Sequence, residues 1–165
     1  MIISSEDAEK EVVLYVAKLM CVAARTAPKG RGADTIKTAI LTGEEIKRVT
    51  DEMVKESKDG LTISIKSVQY SEAIVLIGVT FEQPLDQLAN MKFKLIDLGI
   101  ALGSAAKIAS DLNVDNRIMA GPGRTAAKLG MMKADEVQSI CLSIKGKNIF
   151  FDRPGYVAAV HPLKS

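Results

Sequence analysis

The chain has 165 residues and a mass of 17.7 kDa, which is the size of one domain with a substantial hydrophobic core. Hydrophobic residues make up 47% and charged residues 25% of the sequence, and this composition excludes a disordered or low-complexity protein. The net charge is only +2, which gives no reason to expect a nucleic-acid or anionic-membrane partner. We therefore predict one domain over residues 1–165, ending in a tail without periodicity from about residue 154.

The cysteines and the N-terminus favour a reducing cytoplasm. The chain starts MIISSEDAEKE, and this acidic start does not resemble a secretory signal. No apolar run approaches the roughly 18 residues that a membrane span needs. Cys21 and Cys141 both lie in apolar surroundings, which favours buried thiols over a disulfide. Two separated cysteines and one histidine do not favour a zinc site, so we predict a cytoplasmic protein without a metal site.

The first part of the chain predicts two helices around a strand. Apolar residues at helical spacing predict a helix from Ser5 to about Arg25. A strand-like run follows at residues 36–41. Thr42 is followed three residues later by Glu45, which is the pattern of a capping box at the start of a second helix.

The next stretch predicts two strands and a loop. Moderate alternation over residues 62–70 predicts a half-buried strand. The unbroken apolar run over residues 73–79 predicts a strand buried on both faces. Residues 80–94 contain Pro84 and little periodicity, so we interpret them as a loop or a short irregular helix.

The most informative element is a long helix predicted from Leu95 to about Leu112. Its polar residues form one narrow stripe, which consists of Asp97, Ser104, Lys107 and Asp111. A second stripe contains only small residues, namely Gly99, Gly103, Ala106 and Ser110. Glycine inside a helix costs about 1 kcal/mol, so these glycines need a packing reason such as the close approach of another backbone. We predict a nearly buried helix at a homodimer interface, and an ordinary core helix of a monomer is the alternative.

Three further elements complete the prediction. Gly121-Pro122-Gly123 lies ahead of a short helix predicted over residues 124–129, and Gly130 stands where a helix-ending glycine is expected. Strands are predicted over residues 137–144 and 149–151, with a turn between them. Helices and strands alternate without regular repetition, so the predicted class is α+β, with a mixed or antiparallel sheet flanked by helices.

The sequence GPGRTA at residues 121–126 matches the dinucleotide-binding fingerprint, but its context does not. The preceding segment is short and polar, and the next predicted strand lacks the acidic residue that would bind a ribose. A weaker interpretation remains, in which free N–H groups near Gly121 and Gly123 hold a phosphate beside Arg124. The alternative is an ordinary turn and helix cap.

A second candidate site is the basic loop, which we define as residues 27–33. The cations around it are Arg25, Lys29, Arg31 and Lys37. Such a cluster is either a solvated surface or a site for an anionic small ligand such as a phosphate. The single histidine, His161, is interpreted as a surface residue of the tail. No Ser–His–Asp or Cys–His arrangement is supported, so no catalytic residue is assigned.

Three strings of the sequence resemble a prokaryotic family of uncharacterised proteins containing a ferredoxin domain. They are AARTAPKGRGADTI at residues 23–36, DLGIALGSAAKIASDLNVDNRIM at 97–119 and GKNIFFDRP at 146–154. The resemblance implies no function, because that family has none assigned. Its members carry several iron–sulfur cysteines before the long helix, whereas residues 80–94 of this chain contain none. Since a cluster needs about four thiolates, we predict no iron–sulfur cluster within one subunit.

A more distant resemblance is to the flavin-dependent nitroreductases, which share the order of these elements. An AARTAP-like helix end, a TGEE-like helix start, a DLGIALG-type long helix and a glycine turn occur in that order here. The resemblance implies a nitroreductase-like α+β fold, a homodimer built on the long helix, and FMN between the subunits. This chain lacks the arginine-rich R-x-S-x-R start with which that family holds the FMN phosphate. It also has Lys29 to Asp34 where that family has Ser, Asn and Gln-Pro-Trp.

Two functions remain open from the sequence. The first is an FMN-binding oxidoreductase, in which loop cations bind the phosphate, the glycine turn lines the cofactor and the flavin supplies the hydride chemistry. The residues assigned to this site are Arg25, Lys29, Arg31, Gly121, Gly123 and Arg124. The second is a non-enzymatic ligand-binding or interaction protein that kept the fold and lost the iron–sulfur and flavin contacts. Fold alone does not decide between them.

Overall fold

The strands that the computed structural model describes form one antiparallel sheet with helices on both faces. The structure describes residues 2–60, 62–81 and 87–151, with the backbone alone at 87–89. The strands are β1 (Ile36–Leu41), β2 (Ala73–Val79), β3 (Asp115–Met119) and β4 (Glu136–Ser143). They are ordered β1-β2-β4-β3, and each neighbouring pair is antiparallel. This arrangement confirms the predicted α+β class.

Two helices cover one face of the sheet and three cover the other. The helices are α1 (Ser5–Thr26), α2 (Gly43–Glu56), α3 (Ile63–Gln69), α4 (Gln87–Asp111) and α5 (Ala120–Lys128). Helices α1 and α4 pack against each other and against one face, while α2, α3 and α5 share the core of the other face. A short 3-10 turn, Gly30–Gly32, lies in the basic loop between α1 and β1.

Strand β2 joins the two cores, as its unbroken apolar sequence predicts. All seven of its residues are buried. Val75 and Ile77 belong to the core beneath α1 and α4, whereas Ile74 and Leu76 belong to the core beneath α2 and α5. The side chains alternate because successive residues of a strand point to opposite faces.

The first two helices lie where the sequence predicts them, but only α1 has the expected cap. Ser4 Oγ accepts a hydrogen bond from the backbone N–H of Asp7 at 3.1 Å. Thr42 occupies the N-cap position of α2 in extended conformation, yet its side chain makes no capping hydrogen bond. The predicted capping box of Thr42 and Glu45 is therefore wrong in its side-chain contact, although it marks the start of the helix correctly.

The predicted strand over residues 62–70 is wrong, because this segment is the helix α3. Thr62 Oγ1 accepts from the backbone N–H of Ile65 at 3.3 Å, which is a helix N-cap. Ile65 and Val68 are buried while Ile63 is half exposed, so the buried positions are three residues apart rather than two. That spacing is helical, and the apparent alternation from Ile63 to Ile65 was misleading.

Helix α4 begins earlier than the sequence predicts, and one of its sides is exposed. It includes residues from Gln87 onward, inside the stretch interpreted as a loop or a short irregular helix, while residues 82–86 lie outside the described chain. Ile96 and Ile100 are 57% and 39% exposed, so one side of the helix faces away from the described core. A β-carbon on Gly99 or Gly103 would meet nothing within 4 Å. This side of the helix is therefore open in the single chain, and its burial at a homodimer interface stays a prediction.

The C-terminal elements agree with the sequence except for the last. Gly130 follows α5 with φ of +74°, as expected of a helix-ending glycine, and β4 matches the strand predicted over residues 137–144. Residues 149–151 form a turn instead of a strand, because Asn148 Oδ1 accepts from the backbone N–H groups of Phe150 and Phe151 at 2.9 and 3.1 Å. The predicted tail from about residue 154, which includes His161, lies outside the described residues.

Candidate functional site

The basic loop is fixed to the end of α1 by charged residues. Lys29 Nζ donates to the carbonyl of Ala24 at 3.0 Å and to that of Arg25, contacts that suit the negative end of a helix. Asp34, the residue after the loop, accepts from Arg25 Nη1 at 2.7 Å and from the backbone N–H of Ile36 at 3.0 Å. Burial alone would raise the pKa of the Asp34 carboxyl, but these hydrogen bonds and the nearby cations hold it below its usual value. Arg25 and Lys29 are thus already engaged.

Arg31 differs from the other two cations of the predicted site. Its φ of 56° lies in the left-handed region that non-glycine residues rarely adopt. The side chain is exposed, and its Cζ lies 5.9 Å from the centroid of the Phe93 ring, a cation–π contact with α4. It makes no ion pair with any described residue. Arg31 therefore presents a guanidinium that can still meet an anion.

A buried carboxylate lies beneath the loop. Asp97 of α4 is 3% exposed, and its Oδ1 accepts from the backbone N–H of Gly30 at 2.7 Å. Its other oxygen, Oδ2, is buried and makes no hydrogen bond within the described chain. A β-carbon on Gly30 would lie 3.8 Å from Oδ2, so this oxygen is adjacent to the loop backbone. An unsatisfied buried acceptor costs about 1–3 kcal/mol, and more when it is charged, so it calls for an explanation such as a ligand contact.

A buried cation on α4 holds the other end of the loop. Lys94 is 5% exposed, and its Nζ donates to the carbonyl of Ala33 at 2.9 Å. Lys94 and Asp97 therefore fix the loop backbone at Ala33 and Gly30, while Phe93 contacts Arg31. These contacts give the loop a defined shape.

The sequence analysis missed Lys94 and assigned Asp97 only to a polar stripe. Both residues lie on the buried side of α4, which continues through Leu98 and Ala101 to Ala105. The signal available in the sequence was a pair of charged residues, three apart, in line with this apolar series. Charged residues are seldom fully buried unless they are paired or functional. A charged pair in a sequence is therefore expected to lie in solvent, and these two residues were not recognised as part of a site.

The second half of the predicted site lies inside α5 and not in a turn ahead of it. Gly121 and Gly123 belong to the first turns of the helix. A β-carbon on Gly123 would lie 2.5 Å from the carbonyl oxygen of Val137 in β4, so close helix–sheet packing accounts for this glycine. Arg124 is exposed and, with Gly121, lines an open cavity of about 370 Å³ between α5 and the end of α2.

The cavity beside α5 contains a network of charges. Lys128 Nζ lies 2.8 Å from Glu52 Oε1 and 2.6 Å from Glu56 Oε1. Hydrogen bonds from these carboxylates raise the pKa of Lys128 above its ordinary value. Arg124 makes no ion pair among the described residues, so it is the cation of this cavity that can meet an anion.

The two halves of the predicted site do not meet within one chain. The basic loop leads into β1 at one edge of the sheet and contacts α4 on one face. Helix α5 follows β3 at the opposite edge and packs in the core of the other face. Both lie at the same end of the sheet, since Ile36 pairs with Val79, Val79 with Glu136, and Met119 with Ser139. One ligand could contact both halves only around that end, or between two subunits.

The two cysteines lie on opposite faces of the sheet. Cys21 packs against the core of α1 and α4, while Cys141 is buried in the core of α2 and α5. An iron–sulfur cluster needs about four thiolates around one point, so the cysteines of one chain do not fit such a cluster. Burial raises the pKa of Cys21, and raises that of Cys141 to about 12, which leaves both thiols protonated at neutral pH.

No group of three or more His, Cys, Asp and Glu side chains in the described ranges is placed to hold a metal ion. Among the helices of the described chain, none is long and apolar enough to cross a membrane.

Solved structures with the same architecture assign the fold. One is a protein of Desulfovibrio desulfuricans that is assigned as a nitroreductase and was solved with FMN. It aligns over 90% of this chain and 78% of its own, with a TM-score of 0.61 and 14% identity. YcnD of Bacillus subtilis, described as a hypothetical oxidoreductase, aligns over 100% of this chain and 67% of its own, with a TM-score of 0.61 and 13% identity. The fold is therefore nitroreductase-like, as the sequence resemblance implied.

Sequence comparison assigns the family. Residues 89–153 match the family described as "Uncharacterized protein containing a ferredoxin domain (DUF2148)". An uncharacterised protein of Archaeoglobus fulgidus is 36% identical over 180 residues, which cover 93% of this chain and 98% of that protein. The chain belongs to this family of uncharacterised proteins, which confirms the resemblance stated from its sequence strings.

Proposed function

We propose that the protein is an oxidoreductase that binds FMN at the basic loop. The observation that carries this proposal is the loop itself, which α4 holds in shape while it presents one unpaired guanidinium and one unsatisfied buried carboxylate oxygen. The nitroreductase-like fold supports the choice of cofactor, since one of its relatives in structure was solved with FMN.

The residues present fit such a ligand in two places. Arg31 offers a charged, bidentate donor for the phosphate group. Asp97 Oδ2 offers a buried acceptor, and the polar part of a flavin ring carries an N–H donor. Arg25 and Lys29 are assigned a supporting role, since their hydrogen bonds shape the loop. When bound, FMN would supply hydride transfer, and the protein residues would orient it and shield it from water.

We propose further that the protein works as a homodimer built on α1 and α4. The outer faces of these two helices carry exposed apolar side chains, including Tyr15 and Val22 of α1 and Ile96 and Ile100 of α4. Gly99 and Gly103 lie on the same open side of α4, where a second backbone could approach closely. In a homodimer, Gly121 and Arg124 of one subunit could contact the FMN that is bound at the basic loop of the other subunit. Within one chain they do not meet that loop.

A non-enzymatic ligand-binding protein is the second candidate. It is favoured by the engagement of Arg25 and Lys29, which leaves Arg31 as the one loop cation assigned to the site that makes no ion pair within the described chain. This protein would keep the fold and bind a small anion without redox chemistry.

A visible absorption spectrum, taken before and after FMN is added and the mixture gel-filtered, separates the two functions. We expect a yellow chromophore that co-elutes in near-stoichiometric amount. Arg31→Ala should weaken FMN binding about tenfold to a hundredfold, because a charged hydrogen bond is worth about 1.5–3 kcal/mol.

Arg48→Ala is the matched control, since Arg48 is an exposed arginine of α2 on the other face. Arg25→Ala and Arg124→Ala test the remaining cations of the proposed site. A colourless protein that releases added FMN would contradict the flavin proposal and favour the second candidate.

A further inference from the structure

We infer that Asp97 is a ligand-binding residue, whose Oδ2 accepts a hydrogen bond from a ring N–H group of the ligand. In FMN the matching group is the imide N–H of the flavin ring. The inference rests on the proposed function and deepens it, since it names the part of the ligand that the site recognises.

The hydrogen-bonding capacity of Asp97 is only half used by the protein. An ionised carboxylate accepts hydrogen bonds and donates none. Oδ1 is occupied by the backbone N–H of Gly30, whereas Oδ2 is buried without a partner in the described chain. Any group that satisfies Oδ2 must be a donor, which an ionised phosphate or carboxylate oxygen is not.

Comparison with Asp34 shows that a carboxylate can hold this loop with both of its oxygens in use. Asp34 also stabilises the basic loop, but both of its oxygens are used, Oδ1 by the backbone N–H of Ile36 and Oδ2 by Arg25. Asp97 is more deeply buried and has fewer partners. An asparagine would hold Gly30 equally well without burying a charge, so holding the loop does not account for the carboxylate.

The site therefore has two ends of opposite character. Arg31 provides an unpaired cation at the surface of the loop, and Asp97 provides an acceptor beneath it. The ligand class that fits both is a heterocycle with a ring N–H donor and an anionic group. FMN has this combination, whereas inorganic phosphate lacks the ring N–H.

The substitution Asp97→Asn tests the inference with little change in shape. Its amide oxygen can keep the hydrogen bond to Gly30, which places the amide NH2 where Oδ2 was, so that a donor faces the ligand's donor. We expect FMN affinity, measured by quenching of flavin fluorescence, to fall about tenfold or more. The urea midpoint of the ligand-free protein should be unchanged or higher, because the variant no longer buries a charge.

A modified ligand gives a second test that needs no variant. FMN methylated at the imide nitrogen lacks the donor, so the wild-type protein should bind it about tenfold more weakly than FMN. Asp97→Asn should lose this discrimination. Asp111→Asn is the control, since Asp111 lies on the same helix but is exposed and paired with Lys107.

The outcomes separate the two proposals. If wild type and Asp97→Asn bind FMN equally, or if wild type binds FMN and its methylated analogue equally, the role of Asp97 is overturned and flavin binding stands. If wild type binds neither flavin, the proposed function and this inference are both overturned. A lower urea midpoint for Asp97→Asn with unchanged FMN affinity would make Asp97 a structural residue.

Discussion

At the scale of single residues, Cys141 shows what burial does to a reactive group. It is fully buried in β4, and burial raises the pKa of its thiol to about 12. A hydrogen bond with Ser71 and the nearby Arg117 oppose this rise only in part. Cys21 is half-buried on the other face, where burial raises its pKa and a hydrogen bond with Thr38 opposes the rise. Both thiols are therefore protonated and weakly reactive at neutral pH.

We predict that the two thiols differ in accessibility and in their effect on alkaline stability. At pH 8 a thiol reagent should modify Cys21 slowly and Cys141 only after unfolding. Between the ordinary thiol pKa and about 12, the unfolded chain loses the Cys141 proton and the folded chain keeps it. The free energy of unfolding should therefore fall as the pH rises, by up to about 1.4 kcal/mol per pH unit.

Urea unfolding of wild type and Cys141→Ala between pH 8 and 11 measures this effect. The variant should show a shallower loss of stability with rising pH, after allowance for the smaller core. Rapid labelling of Cys141 in the folded protein would contradict the burial on which the prediction depends.

At the scale of elements, replacing a glycine by alanine should have opposite effects on stability in helices α5 and α4. Gly123 of α5 lies against the backbone of β4, and a β-carbon there would come within 2.5 Å of the Val137 oxygen. Gly123→Ala should therefore destabilise the fold by about 2–4 kcal/mol, because neither backbone can give way. Gly103→Ala on α4 meets nothing within 4 Å in the described chain, so it should stabilise an isolated subunit by about 0.5–1 kcal/mol.

Chemical denaturation of the two variants checks these values. Equal stabilities for Gly123→Ala and wild type would mean that α5 can move away from β4. If the proposed dimer forms, Gly103→Ala should also weaken self-association, since it places a methyl group on the open side of α4.

Sequence patterns predicted the elements well where hydrophobicity decided the structure. The unbroken run of β2 and the amphipathic α1 were predicted correctly, because burial of apolar side chains dominates there. The errors arose where hydrogen bonds decided. Thr62 caps the helix α3, although the apolar residues of that segment alternate as in a strand. Asn148 accepts a backbone hydrogen bond that places the short apolar run after it in a turn and not in the sheet.

The candidate site was predicted only in its exposed part. The cations of the basic loop stand out in the sequence, and Arg31 is indeed exposed. Their pairing could not be predicted, since the Arg25–Asp34 bond depends on how the loop folds back. The acceptor at Asp97 was hidden because it belongs to a helix 67 residues away from Gly30.

At the scale of the whole molecule, we predict self-association through the open sides of α1 and α4. Light scattering should give twice the 17.7 kDa of the chain. Ile100→Glu, on the open side of α4, should shift the mass to that of the monomer, because the interface would have to bury an unpaired charge.

Ile63→Glu is the matched control for this measurement. Ile63 is 51% exposed, but it lies on α3 over the opposite face of the sheet. It should leave the mass unchanged. A wild-type mass that stays monomeric over a wide concentration range would contradict the homodimer.

The strand order has a consequence for how the protein is made. Strand β4 is the last of the described strands to leave the ribosome. It nevertheless lies between β2 and β3 in the sheet, and both of these strands pair with it. Until it emerges, β3 has no partner and the apolar β2 keeps one edge open. Between the synthesis of β2 and that of β4, the nascent chain therefore carries an apolar strand with an open edge, and this is the stage at which it is most prone to aggregate.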